Sequence, residues 1–215
     1  MQKTAKFAIH TNANVVLLSP TGTGKTLAFL LPIIEELDTE CEQIQALILV
    51  PSRELAIQIE QVAREMGTGF KINAFYGGQS FSKDRSELDT PPAILIGTPG
   101  RIADHLRRET FEVPDIKSLV LDEFDKSLEM GFGGEMSSIL EHLTNLRTRF
   151  LTSATQAVKI PSFLKMSAPY TLDFTTRYEN KESKLDQKMV VAEGNDKLDA
   201  LFKLLCLLGS KKSLI

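Results

Sequence analysis

Short apolar runs recur along this chain, each followed by a turn and then by a stretch with helical spacing. The runs are Val15–Leu18, Ala46–Val50, Ile72–Tyr76, Ala93–Ile96, Ser118–Leu121 and Phe150–Thr152. Each is bounded by Gly, Pro, Asn or charge, which is the signature of buried strands. Helical patterns lie between and after them, at Lys25–Leu37, Arg53–Met66, Gly100–Arg108, Gly134–Leu143 and Ile160–Met166. Alternation of strand and helix predicts an α/β fold, a parallel sheet with helices on both faces. Ligands in such sheets bind at the carboxyl ends of the strands.

One more short strand, Tyr170–Phe174, closes this pattern. Thr175–Asp186 is polar and charged and reads as an interdomain linker. A strand at Lys188–Ala192 and a helix at Asp196–Leu208 follow, the helix carrying Leu198, Leu201, Phe202, Leu204 and Leu205 on one face, and then an apolar stub at Ser213–Ile215. The expected organisation is a first domain over 1–174, a linker over 175–186, and the truncated start of a second domain over 187–215.

Composition adds limits. The 215 residues are 42% hydrophobic and 25% charged, as in ordinary globular proteins, and suffice for a sizeable core. A formal net charge of −3 gives no support to nucleic-acid binding, so any such contact has to come from local geometry. Cys41 and Cys206 lie far apart without metal-ligand spacing and read as buried or idle thiols in a reducing compartment. No apolar run reaches the roughly 18 residues that span a bilayer. The N-terminus lacks the basic start and apolar stretch of a signal peptide. The expectation is a cytoplasmic protein without membrane contact.

The chemistry begins at Ser19-Pro20-Thr21-Gly22-Thr23-Gly24-Lys25-Thr26, between a strand and a helix. This closely matches the phosphate-binding loop, with Ser19 where the general pattern has Gly. Glycines let backbone N–H groups converge on phosphate oxygens, and the following helix adds its dipole. Lys25 supplies a point charge to the β- and γ-phosphates, and Thr26 a hydroxyl ligand for Mg²⁺. The bland alternative is a glycine-rich turn with an exposed lysine. Alone, the loop says "nucleoside triphosphate" and nothing of its use.

A second segment, Ser118-Leu119-Val120-Leu121-Asp122-Glu123-Phe124-Asp125, is an apolar strand ending in acids. Such a strand delivers a carboxylate to the magnesium of a phosphate-loop enzyme. Asp122 is expected to hold the metal, and Glu123 to orient or deprotonate the attacking water. Acids this close repel, so a cation has to lie nearby or their pKa values have to rise. The alternative is a strand ending in a solvated acidic turn.

Together with three further segments these resemble the DEAD-box family of RNA helicases. Pro51-Ser52-Arg53-Glu54-Leu55-Ala56 resembles its Pro-Thr-Arg-Glu-Leu-Ala segment; Thr98-Pro99-Gly100-Arg101 and Ser153-Ala154-Thr155 match two more, and Gly77-Gly78 its glycine pair. The resemblance implies a RecA-like core that binds ATP and Mg²⁺ and hydrolyses ATP to remodel RNA. It implies that Gln2 reads adenine, although Gln2 could equally be a polar residue at a helix start. It implies that Pro51, Arg53, Gly78, Thr98, Pro99, Gly100 and Arg101 meet the RNA sugar–phosphate backbone. Helix-start N–H groups, a close-approach glycine and an arginine fork suit phosphates without base reading. The ordinary alternatives are helix-starting prolines at Pro51 and Pro99 and helix-surface cations pairing with an acid at Arg53 and Arg101. Ser153 and Thr155 are implied to couple the nucleotide site to RNA through hydrogen bonds to Asp125. Phe124 departs from the family's Ala and has to find room beneath or beside the nucleotide; Ser52 and Ser19 are milder departures.

Two other classes compete: another phosphate-loop ATPase such as a DNA-translocating motor, and a non-catalytic RNA-binding module. The family further implies a second domain that completes the site with arginines. The chain alone is therefore expected to be a monomer with weak nucleotide binding and little activity.

Overall fold

The structure is a computed structural model that describes residues 1–155, 159–175, 188–191 and 197–210. Among these, the strands are β1 (Asn14–Leu18), β2 (Ala46–Leu49), β3 (Ile72–Phe75), β4 (Ile94–Gly97), β5 (Ser118–Leu121), β6 (Thr148–Ser153) and β7 (Tyr170–Asp173). They form one sheet in the order β3-β4-β2-β5-β6-β1-β7, with every neighbouring pair parallel. The helices are α1 (Gln2–Thr11), α2 (Lys25–Glu36), α3 (Arg53–Glu65), α4 (Phe81–Glu87), α5 (Pro99–Arg107), α6 (Phe124–Glu129), α7 (Gly133–His142) and α8 (Lys197–Leu208).

The strands alternate side chains between two cores. Ala46, Ile48 and Val120 pack with Ala5, Ala8, Phe29, Ile33, Ala56 and Ile59 of α1, α2 and α3. Leu47, Leu49, Leu119 and Leu121 pack with Ile102, Leu106, Met136 and Ile139 of α5 and α7. Burial on both faces explains why the strands read as unbroken apolar runs.

The chain divides into two units, Met1–Asn180 and Lys181–Ile215. The second contains α8, none of whose residues is buried, with Leu198, Phe202 and Leu207 exposed. Residues 188–191 are exposed and form no strand, unlike the strand expected over Lys188–Ala192; Ala192 itself lies outside the described residues. So do Asp196, most of the expected linker and the stub Ser213–Ile215. Of the two cysteines, Cys41 is half-buried and Cys206 exposed.

The expected helix at Ile160–Met166 is only a 3-10 turn, Ser162–Leu164. Pro161 opens it, and left-handed backbone at Lys165 (φ 51°) and Ala168 (φ 46°) ends it. Three helices have no counterpart in the apolar pattern. In α1 the buried residues are Ala5, Ala8 and Ile9, two of them too small to signal a face. In α4 the buried residue is the charged Asp84. The third, α6, begins within the acidic segment itself.

Candidate active site and nucleic-acid interface

β1 feeds the phosphate loop. Ser19 N–H donates to the Ser153 carbonyl (3.0 Å), which fastens the loop's first residue to the end of β6. Gly22 (φ 74°) and Gly24 (φ 89°) adopt left-handed backbone, as a loop turning its N–H groups inward requires. The Thr23 hydroxyl donates to the Pro20 carbonyl (2.8 Å) and lies 2.7 Å from the Ser19 hydroxyl. Lys25, the first residue of α2, is buried and donates Nζ to the Ser19 carbonyl (2.9 Å), so its ammonium lies across the loop. Thr21 is exposed and Thr26 half-buried in the helix's first turn. Gln2 reaches the same place: its amide nitrogen lies 3.0 Å from where a Cβ on Gly24 would sit.

β5 ends beside this loop. Asp122 is buried, and its N–H donates to the Leu49 carbonyl (2.9 Å). Thr152 on neighbouring β6, fully buried, donates its hydroxyl to Asp122 Oδ1 and accepts the Glu123 N–H (3.0 Å). Glu123 takes a left-handed backbone (φ 46°, ψ 50°), strained for a residue with a Cβ. Burial pushes the Asp122 carboxyl above its usual range; the Thr152 hydrogen bond and the Lys25 charge act against this, and Glu123 adds to the rise. The cation and the raised pKa expected for clustered acids are thus both present.

Phe124 lines a small cavity with Ser153 and Thr155. It is buried in the core that includes α5 and α7, with Val16, Leu121, Leu151 and Leu164. Asp125 keeps its contact with β6: its Oδ2 accepts the Thr155 hydroxyl (3.3 Å) and the Ala154 N–H (3.3 Å). Ser153 does not join in as expected. Its hydroxyl donates to the Thr155 carbonyl (2.8 Å) and accepts the Thr155 N–H (3.1 Å), closing a tight turn. Ser153 shapes the segment, while Thr155 and the Ala154 amide make the contact.

The remaining segments follow β2, β3 and β4, on the same edge of the sheet. Ser52 caps α3 by accepting the Leu55 N–H (3.2 Å). Pro51 before it is buried, and Arg53 after it is exposed. Arg53 pairs with Glu54 at 3.3 Å, but both side chains are in water, where such a pair is worth little. Its Nη1 lies 3.9 Å from where a Cβ on Gly78 (φ 85°) would sit, so Arg53 and Gly78 share one patch. Thr98 opens α5 with no side-chain cap, Pro99 stands in the first turn, and open space faces Gly100. Arg101 departs from the expected exposed fork. It points inward to the buried carboxylate of Asp84 (2.7 Å).

The pattern of residues gave no signal for Asp84 or His105, which look like solvated helix positions. Thr152 carried a faint one, a polar residue inside a buried strand. A cavity of about 500 Å³ lies at the opposite, amino-terminal end of the sheet, lined by Gln45, Lys117, Ser118 and Thr148. Volume therefore does not locate the site; the convergence of loops does. Among the described residues no helix is long and apolar enough to cross a membrane.

Comparison with known proteins agrees with this geometry. The family model for the DEAD/DEAH box helicase matches residues 1–162. The chain is 39% identical over 198 residues to ATP-dependent RNA helicase CshA of Limosilactobacillus reuteri, covering 89% of this chain and 39% of that protein. It is 37% identical over 169 residues to ATP-dependent RNA helicase DeaD of Mycobacterium tuberculosis, covering 77% and 30%. Among solved structures, a DEAD box protein from Methanococcus jannaschii superposes with a TM-score of 0.67 at 31% identity, over 85% of this chain and 46% of that one. A hypothetical ATP-dependent RNA helicase from Sulfolobus tokodaii gives a TM-score of 0.70 at 27% identity, over 79% and 50%. The chain spans about 39% of the length of the first of these curated relatives.

Proposed function

Because this chain belongs to the DEAD/DEAH box helicase family, we propose that it is the nucleotide- and RNA-binding part of an ATP-dependent RNA helicase. The observation that carries the reading is the meeting of the phosphate loop, the acidic strand end and the Ser153–Thr155 turn around Thr152 and Lys25. The Gly22 and Gly24 loop cradles the triphosphate of ATP, Lys25 offsets part of its charge, and Gln2, whose amide lies beside Gly24, reads the adenine. Thr26 and Asp122 offer the hard oxygens Mg²⁺ prefers. No group of three or more His, Cys, Asp or Glu side chains suited to a metal occurs among the described residues, which fits an ion bound largely through substrate phosphates and water. Bound there, Mg²⁺ would offset phosphate charge.

Glu123 accepts the proton of the attacking water, from a backbone position fixed by Thr152. Asp125 and Thr155 connect this centre to the end of β6. Pro51, Arg53, Gly78, Thr98, Pro99 and Gly100 form a backbone-reading track for RNA that carries no sequence preference. On the same reading a second domain of the intact protein supplies arginines to the γ-phosphate, a contribution of about 10³–10⁵ in rate. The protein works in the cytoplasm and needs no membrane.

The test is ATP turnover by the intact protein with single-stranded RNA, duplex RNA or duplex DNA. RNA is expected to stimulate hydrolysis, and Glu123→Gln to keep ATP binding while lowering turnover about 10²–10⁴-fold. Stimulation by duplex DNA alone would replace the reading with a DNA motor. Nucleotide binding unaffected by Lys25→Ala, without turnover, would leave a non-catalytic module.

A further inference from the structure

We propose that Arg101 is a strut and not a phosphate ligand, and that Asp84 and His105 are positioning residues which set the RNA track through it. This rests on the RNA-binding reading given above. Arg101 Nε donates to Asp84 Oδ2 (2.8 Å), while Nη2 forms an ion pair with the same oxygen (2.7 Å) and donates to the Gln79 carbonyl (3.1 Å). The Asp84 side chain is fully buried and that of Arg101 only 12% exposed. The guanidinium also lies over the Phe81 ring, 4.8 Å from its centroid. An arginine committed in this way has little fork left for a phosphate.

His105 completes the arrangement from α5. Its Nε2 lies 3.0 Å from Asp84 Oδ2 and its Nδ1 lies 2.8 Å from the Thr110 hydroxyl. Burial lowers the His105 pKa despite the neighbouring carboxylate. The neutral ring then donates Nε2–H to Asp84 and accepts the Thr110 hydroxyl at Nδ1. The imidazole is stacked between Phe75 (4.9 Å between centroids) and Phe81 (4.4 Å). Phe75 in turn accepts the Thr98 N–H at its carbonyl (3.1 Å).

This single cluster joins the end of β3, the turn carrying Gly78 and Gln79, the start of α4, and α5. Those are the elements that present Gly78 on one side of the track and Thr98 and Gly100 on the other. The distance between the two donor sets has to suit the phosphate spacing of the bound RNA backbone, and the Asp84–Arg101 pair holds that distance. Swinging Arg101 out to a phosphate would strand Asp84 as a buried, unpaired charge, which is strongly unfavourable. The pair is therefore a permanent part of the track.

The experiment uses the intact protein with single-stranded RNA. It measures the RNA concentration for half-maximal ATPase stimulation, the KM for ATP at saturating RNA, and the slope of log RNA affinity against log salt. Asp84→Asn, His105→Asn and Arg101→Lys are compared with wild type. Arg101→Lys keeps the charge but cannot bridge Asp84 and Gln79 as a planar fork does. All three are expected to raise the half-saturating RNA concentration about tenfold, a shift typical of an outer-shell support, while the KM for ATP stays within about twofold by the same logic. Loss of fold stability alone would not produce that split.

The salt slope separates strut from ligand. Arg101→Gln is expected to leave it at the wild-type value, whereas Arg53→Gln, at an exposed phosphate-facing position, lowers it by about 0.7. A fall of about 0.7 for Arg101→Gln would make Arg101 a phosphate ligand and overturn the proposal. So would full RNA affinity in Arg101→Lys or Asp84→Asn. If Asp84→Asn does not fold, Arg101→Lys carries the same decision. Wild-type protein that neither binds RNA nor is stimulated by it would sink the functional reading itself, a distinct result.

Discussion

Thr152 offers the sharpest test of how the fold serves the chemistry. Thr152→Val keeps the shape of a fully buried side chain and exchanges its hydroxyl for a methyl of similar size, so the loss is one of hydrogen bonds and not of volume. Two groups lose a partner: the Glu123 N–H, which it accepts, and Asp122 Oδ1, to which it donates. An orphaned buried N–H costs about 1–3 kcal/mol, and a lost hydrogen bond to a charged group about 1.5–3 kcal/mol. With partial relaxation, a stability loss of about 2–4 kcal/mol follows. The left-handed backbone of Glu123 is held in part by this bond and is itself unfavourable by about 1–2 kcal/mol. Released, it relaxes and carries the carboxylate away from its working position. ATP turnover is then expected to fall toward the limit set by loss of general-base help, about 10²–10⁴-fold. Urea unfolding and single-turnover hydrolysis by the intact protein measure both quantities, with Thr152→Ser expected to retain most of each. A Thr152→Val protein with wild-type turnover and an unfolding free energy within about 0.5 kcal/mol of wild type would refute the argument.

Other positions allow further checks. A Cβ on Gly97 would lie 2.6 Å from the Ile102 side chain and 2.7 Å from the Phe75 carbonyl. Gly97→Ala is therefore expected to destabilise by about 1–3 kcal/mol, read as a lower urea midpoint; an unchanged midpoint would mean that β4 and α5 have slack. Gly24→Ala meets both a φ of 89° and the Gln2 amide, so nucleotide affinity should fall in a fluorescent-ATP titration, and equal affinity would remove the strain argument. His105 has a pKa below its ordinary value of 6.5. The unfolded chain then takes up the proton first, so stability is full above about pH 6.5, falls as pH drops from there, and levels off below the folded-state pKa. His105→Asn should flatten this acid limb in urea midpoints taken from about pH 8 to 5, and an unaltered limb would assign it to other groups.

Much of the sheet was legible because both its faces are buried. Val15–Leu18 and Ser118–Leu121 fall on β1 and β5 to within a residue, since a strand covered on two sides has no polar alternation to blur its ends. The site was legible for a related reason: the phosphate loop and acidic segment sit where strands end, and both depend on backbone shape that demands particular residues. What the pattern missed depends on partners distant in sequence. Asp84 is charged and fully buried only because Arg101 and His105 arrive from α5. Such a residue looks like a solvated position until the fold is known. The place of Phe124 was not legible for the same reason, because its ring packs with Val16, Leu151 and Leu164, which are distant in sequence.

The strand order also bears on how the protein is made. β1, which carries the phosphate loop, pairs with β6 and β7. β2, β3 and β4 pair among themselves much earlier in the chain, and β5 then joins β2. During synthesis at about 5–20 residues per second, β1 would wait about 7–27 s for the first of its neighbours to be made. Through that interval an apolar strand and a glycine-rich loop are held by helix contacts alone, and nucleotide has no formed cradle to stabilise. ATP therefore cannot act as an early folding template. A nascent chain stalled before β6 should expose β1 to chaperones and proteases, while the β2–β4–β3 region is already protected.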